Sequence, residues 1–355
     1  MNSLYRKPAV RMLAGVLALL VLPGCSHAVE PISPMLPECV GGFKLSVPGP
    51  VNFAVTKWDV LLDVDARGRI AFSDGEMPTH AVFAFGDTRI DIAAASSPDD
   101  FAQLRLDAAE QVKQEKIGLV SRGKKPIADS FKPYDPGDPN AFAWRSVGGI
   151  KLFFKKGNHI YRYDARADES MTAAVSEAKG LLSNMRSRKP HEVPADYGIC
   201  YPHSFLKTAE NPKYWAGVAM RLVDYPEIEI LLEDVETLPV GHPNRLPDSI
   251  SPIRFFLEKG LTKKFTKVDY DWQLTPFKMG GMSGKAAFAN VTRDEKQEDF
   301  VFLAFAPGEA GKPVPSRNLL LYVSRNAARA KGAPVSEAKF RQIAEAIAKS
   351  VAPLR

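Results

Sequence analysis

The sequence predicts an α+β fold made of two similar domains, each an antiparallel or mixed sheet packed with two helices and related by internal duplication. Three observations carry that expectation. The chain has 355 residues, enough for two cores at roughly 100–200 residues per domain. The pentapeptide Val175-Ser176-Glu177-Ala178-Lys179 recurs as Val335-Ser336-Glu337-Ala338-Lys339 about 160 residues on, nearly the interval from Cys39 to Cys200. Strand-like and helix-like segments also follow one another in the same order in both halves. Hydrophobic and charged fractions of 45% and 25% are globular averages, which excludes a disordered, collagen-like or polytopic membrane chain.

In the first half, the alternating residues 42–47 read as a strand, followed by a hairpin of residues 57–63 and 69–73 around Asp65-Ala66-Arg67-Gly68. A helix opens at Pro98-Asp99-Asp100, with acids against the helix dipole, and Phe101, Leu104, Leu106, Ala109 and Val112 form its apolar stripe to about residue 116. Strands at 141–147, 150–155 and 159–163 precede a helix at 172–186. The second half repeats this plan: strands at 198–206, 216–222 and 227–233, a helix at 249–263, four strands at 267–274, 285–292, 299–305 and 318–324, and a final helix capped by Ser336. Two prolines and four ionisable side chains within 189–196 mark a linker, with domains at 39–190 and 196–355 joined by 191–195.

The N-terminus reads as an export signal. Arg6, Lys7 and Arg11 precede an apolar run, residues 12–22, about half the length of a membrane span. Without those three cations the net charge of +6 falls to +3, so no basic nucleic-acid footprint is implied. The run ends in Leu22-Pro23-Gly24-Cys25, which resembles the lipobox of bacterial lipoproteins, with residues 1–24 removed and Cys25 lipidated. Ordinary cleavage after Ala28 is the competing outcome. Two acyl chains suffice for stable anchoring, and Ser26 after the cysteine points to the periplasmic face of the outer membrane. Pro31, Pro34 and Pro37, spaced by three, suit a polyproline stalk over residues 25–38; an unstructured leader fits as well.

Catalytic and metal motifs each fail on a named residue. Gly280 to Lys285 lacks the first glycine and the final hydroxyl of a phosphate loop, and Lys285 stands where a nucleophile elbow needs glycine. Ser-x-x-Lys at Ser176, Ser204 and Ser336 has no partner motifs, two of the three being helix starts. Arg67 spoils a calcium loop at Asp63, and the six histidines show no paired ligand spacing. The expectation is a protein that is not an enzyme, without metal, cofactor, small-molecule substrate or nucleic acid. Cys39 and Cys200 can form a disulfide in an oxidising compartment or remain buried thiols.

Cys39-Val40-Gly41-Gly42-Phe43-Lys44-Leu45-Ser46-Val47-Pro48 behind a lipoprotein signal resembles the start of the Tli4-type immunity proteins, which protect bacteria from type VI secretion lipase effectors. Gly198-Ile199-Cys200-Tyr201, the glycine-rich turn Gly280 to Gly284 and the closing helix extend the resemblance to the second half. Family members usually carry arginine where Gly42 stands, and a Phe-Gly pair where this chain has Tyr201-Pro202. The resemblance implies a periplasmic inhibitor that binds a phospholipase or lipase toxin and is held to the membrane through Cys25. A periplasmic hydrophobic-ligand carrier and an envelope scaffold lipoprotein are the alternatives. A cleft between two domains would present loops 131–140, 207–215 and 237–245 to the partner, with Tyr134, Asp135, Asp138, Tyr214, Trp215, His242 and Arg245 as candidate contacts.

Overall fold

The strands Ile228–Glu236 and Arg317–Arg325, built around the apolar runs Ile230 to Leu232 and Leu319 to Val323, are buried on both faces at those runs and lie in the middle of the sheet. In a computed structural model, the described residues are 31–354 except 64–68, 86–87, 122, 124–130, 147–148, 167–169, 210–211, 238–266, 294–296 and 309–316. Residues 31–355 form one compact unit. The expected signal, residues 25–30 of the expected stalk and the expected helix at 249–263 lie outside the described residues.

The first half runs β1 (Met35–Val40), β2 (Phe43–Pro48), β3 (Val51–Phe53), β4 (Thr56–Lys57), β5 (Val82–Phe85), β6 (Thr88–Ala94), α1 (Asp100–Ser121), β7 (Pro133–Tyr134), β8 (Ala141–Ser146), β9 (Gly149–Lys156), β10 (His159–Arg166), α2 (Met171–Asn184) and β11 (Met185–Ser187). The second runs β12 (Gly198–Tyr201), β13 (Ser204–Lys207), β14 (Tyr214–Leu222), β15 (Ile228–Glu236), β16 (Lys267–Met279), β17 (Met282–Arg293), β18 (Gln297–Ala306), β19 (Arg317–Arg325), α3 (Glu337–Ser350) and β20 (Ala352–Pro353). The fold is α+β, its strand pairs antiparallel apart from β4 with β6.

One 14-stranded sheet crosses both halves. Its first-half order, β5-β6-β10-β9-β8-β7, is matched by β14-β15-β19-β18-β17-β16 in the second, and the two meet where Tyr214 to Gly217 pair with Val82 to Phe85. The expected linker, 191–195, falls between β11 and β12, and these two strands lie in one small sheet with β13 between them. Two smaller sheets exchange strands. The opening hairpin β1-β2 is completed by β20 from the end of the second half, and the hairpin β12-β13 by β11 from the end of the first.

Alternation of side chains across a strand sorts the core by face. On one face, α2 buries Ala174, Ala178, Leu181 and Leu182, and α3 buries Phe340, Ile343, Ala344 and Ile347, against a single large core that includes Phe154, Tyr161, Leu321 and Val323. On the other, α1 sets Phe101, Leu104 and Ala108 on Trp144, Phe153 and Ile160. Ser336 caps α3 by accepting from the Lys339 amide, and Ser170 caps α2 from the Ala173 amide.

Several expectations are corrected. Ser170, not Ser176, occupies the place in α2 that Ser336 holds in α3, so the repeated pentapeptide lies at different positions of the two helices. In α1, Leu106 and Ala109 point away from the core, which Ala108 fills instead. Residues 58–63 are a 3-10 turn rather than a strand, because Leu61 is buried beneath α1 and the carbonyls of Leu61 and Asp63 accept from the Arg162 guanidinium. Residues 69–73 contribute one bridge, Val55 to Ala71, while the hairpin β5-β6 was not anticipated. Residues 35–38 belong to β1, with Glu38 buried against Arg188 at 2.8 Å, so the upper part of the expected stalk is in the fold. Gly280-Gly281 is a two-residue hairpin turn with both φ positive, which explains the glycines without a phosphate.

Cys39 and Cys200 close a disulfide across a separation of 161 residues, beside a backbone bridge in which Gly41 and Cys200 exchange both hydrogen bonds at 2.9 and 2.8 Å. Closing so long a loop removes about 5 kcal/mol of unfolded-chain entropy in the chain-entropy model. Reduction, or Cys39→Ser with Cys200→Ser, should lower the unfolding free energy by about 4 kcal/mol in a urea titration; coincident midpoints for oxidised and reduced protein would contradict this.

Candidate functional site

The β5–β14 seam needs something to hold the opening hairpin over it, and the buried carboxylate of Asp234 in β15 does this. Its Oδ2 accepts from the Gly42 amide at 2.8 Å and from the Tyr214 hydroxyl, and its Oδ1 accepts from Arg317 Nε at 2.6 Å. The Arg317 guanidinium lies 3.7 Å over the Tyr214 ring and also donates to the Tyr214 and Asp234 carbonyls at 3.1 and 3.0 Å. Burial, and then the Asp234 charge, push the Tyr214 phenol well above its ordinary range. A Cβ on Gly42 would lie 2.6 Å from the Tyr214 oxygen, so this hub excludes any larger residue there. Tyr214 is therefore an internal tie, with no surface to offer a partner.

The seam is also crossed by His80 and Glu233, whose Nε2 and Oε1 are 3.4 Å apart. Burial pushes the Glu233 carboxyl up to about 7 and the His80 imidazole down. Elsewhere, His203 stacks on His159 at 4.2 Å, and burial, His159 and Arg188 depress it to about 3.

Two clefts open on the face that carries α1. The first, of about 650 Å³, has mostly apolar walls: Ala108, Ala109 and Val112 of α1 on one side, and Phe131, Tyr134 and Trp144 around β7 and β8 on the other. It takes up much of the loop 131–140. Tyr134 and Asp135 line it, whereas Asp138 is engaged structurally, accepting from the Asn140 amide at 2.8 Å and pairing with Lys156 at 3.3 Å. Phe131 holds φ at +63°, a conformation rare for a bulky side chain, fixed by hydrogen bonds between its strand and Arg145.

The second cleft, of about 1040 Å³, lies against the seam. Its floor carries charges on neighbouring strands: Arg89 and Asp91 of β6 beside Asp164 and Arg162 of β10. Arg162 grips Asp164 through two nitrogens at 3.1 and 2.5 Å, and Arg89 Nε meets Asp91 at 2.6 Å. Burial outweighs these cations and raises the Asp91 carboxyl. Trp215, 43% exposed, lines this cleft from the second half.

The expected contacts thus divide. Tyr134 and Asp135 share one cleft, Trp215 lines the other, Tyr214 is buried, Asp138 is tied to Asn140 and Lys156 in its own loop region, and His242 and Arg245 lie outside the described residues. Sequence reasoning missed Trp144 and the exposed ridge Leu106, Ile117 and Val120 on α1. The signal for the ridge was a second apolar line at helical spacing on a helix that already had one. Among the described residues there is no group of three or more metal-ligating side chains, and no helix is long and apolar enough to cross a membrane.

No protein-family model matches the sequence, and no curated protein is similar to it. Solved structures are. The chain is similar to the T6SS immunity protein TplEi from Pseudomonas aeruginosa complexed with "L" peptide, at a TM-score of 0.55 and 17% identity over 90% of this chain and 98% of that one. It is similar to apo TplEi at 0.55 and 15% (90% and 97% covered), and to a chain of the Tle4–Tli4 complex at 0.57 and 16% (90% and 97% covered). The likeness first read from short motifs around the cysteines extends over the whole fold.

Glu233 supplies a test of the seam. Folded, it keeps its proton to about pH 7; unfolded, it releases near 4.5, so the folded state binds more protons between those values and stability falls as the pH rises through them. Relative to Glu233→Gln, wild type should lose about 2 kcal/mol between pH 5 and 7, measured by urea unfolding. Parallel stability curves would show that Glu233 titrates normally.

Proposed function

We propose that this chain is a periplasmic immunity lipoprotein that binds and neutralises a lipase or phospholipase effector of the type VI secretion system, with no catalysis of its own. The observation that carries the reading is the end-to-end likeness of fold to two proteins solved as T6SS immunity proteins or in an effector complex. Lipid on Cys25 would hold the folded unit at the periplasmic face of the outer membrane, where a membrane-directed enzyme must act. Two features support binding rather than turnover. The hydroxyl of Ser204 is buried and donates to the Pro202 carbonyl at 3.2 Å, and Ser336 is spent capping α3. Exposed aromatic surface at Trp215, beside the charged floor of the second cleft, has the composition of an interface anchor.

The test is protection. Cells producing the cognate effector in the periplasm, sought among secreted lipases encoded beside this chain, should survive when the chain is co-produced and die when it is absent. Trp215→Ala should weaken effector binding about thirtyfold, as for loss of an aromatic anchor worth about 2 kcal/mol. Failure of the purified chain to bind or inhibit any such lipase would overturn the reading, as would phospholipid hydrolysis by the chain itself.

A further inference from the structure

The tether that would carry the lipid is much shorter than a free stalk over residues 25–38, because the fold begins inside it. Ile32 packs against the large core, the Ser33 amide donates to the Tyr225 hydroxyl at 3.2 Å, and the Pro34 carbonyl accepts from the Gly49 amide at 3.0 Å. Ile32 follows Cys25 by seven residues, a span of at most about 25 Å even when fully extended. Acyl chains on Cys25 would therefore hold the place where the chain enters the fold within that distance of a bilayer.

The surface around this entry point is apolar. Met35 opens β1, is 38% exposed and pairs with Pro48 of β2. Pro34 and Pro50 are exposed on either side of that pair. The Pro50 carbonyl accepts from the Val223 amide at 2.9 Å, and Val223, 45% exposed, opens the turn that carries Tyr225. Single exposed apolar side chains are ordinary on a protein surface. These come from segments distant in sequence, and hydrogen bonds gather them around one point. The charges beside them are few and of both signs: Asp224 is exposed in the same turn, and Lys339 Nζ lies 5.1 Å from the Tyr225 centroid. Apolar burial, not attraction to anionic lipid, is what this face offers.

We infer that this end of the fold rests on the lipid surface, with Met35, Pro50 and Val223 in the headgroup layer. The inference rests on the reading of Cys25 as lipidated. It also orients the proposed effector contact: Trp215 lies eight residues before Val223 along β14, up to about 26 Å farther from the lipid, so it stands clear of the membrane.

The test uses the mature lipidated protein in vesicles of phosphatidylethanolamine and phosphatidylglycerol, with the fluorophore NBD on one introduced thiol. Cys39 and Cys200 are paired and Cys25 carries the lipid, so the introduced thiol alone reacts. The labelled variants are Val223→Cys, Met35→Cys, Trp215→Cys and Leu106→Cys, all at exposed positions, the last on the rival apolar ridge of α1. Nitroxide-bearing phospholipid should quench the labels at 223 and 35 at least twofold more than those at 215 and 106, and aqueous iodide should show the reverse order. Equal quenching at all four positions, or strongest quenching at 106, would overturn the proposal. So would a label at 223 shielded from iodide yet not quenched by lipid, since a protein would then cover this face. Mature protein that fails to float with the vesicles would overturn the lipoprotein reading and this inference with it; floating protein with no lipid quenching at 223 and 35 would overturn this inference alone.

Discussion

A buried carboxylate with three donors around it sets the arrangement of this molecule. Asp234 accepts from Arg317 on one carboxylate oxygen and from the Gly42 amide and the Tyr214 hydroxyl on the other. Those partners come from the opening hairpin, from β14 and from β19. Removing one member would leave the others desolvated and unpaired, which costs about 3–5 kcal/mol for a buried ion pair. The disulfide and the paired backbone bridge at Gly41 and Cys200 stand next to this hub, so covalent, hydrogen-bonded and ionic constraints coincide where the exchanged hairpins meet. Glu38, paired with Arg188 at 2.8 Å and accepting from the His191 amide at 3.2 Å, ties down the segment between the halves from the same hairpin.

This geometry explains which parts of the fold could be read in advance. Helices with a single apolar stripe and a serine cap, α2 and α3, were legible, as were strands such as β9, β10, β18 and β19 with strong apolar patterns. The segment 58–63 looked like a strand because nothing local shows that a distant guanidinium, Arg162, will take its carbonyls. β5 and β6 were missed because their pairing partners, β14 and β10, are far away in sequence, and pairing rather than propensity makes them strands. The exchange of β11 and β20 between hairpins is a property of topology, and no local pattern encodes it.

The candidate site was legible in proportion to exposure. Tyr214 and Trp215 are adjacent and chemically alike, and alternation across a strand sends one into the hub and the other to the surface. Without the register of β14 there was no means of choosing between them. The cleft along α1 was hidden for the opposite reason: assigning Ala109 to one inward stripe concealed that it is exposed and lines an open cleft. The surface positions hardest to read are thus the ones where one helix or strand serves two surfaces.

The account's central claim is that the exchanged hairpins and the continuous sheet make the two halves a single cooperative unit. Differential scanning calorimetry of the intact, oxidised protein tests it directly. A single transition whose calorimetric and van't Hoff enthalpies agree is the expected result. Two resolved transitions, or a calorimetric enthalpy about twice the van't Hoff value, would show that the halves unfold independently and would contradict the account.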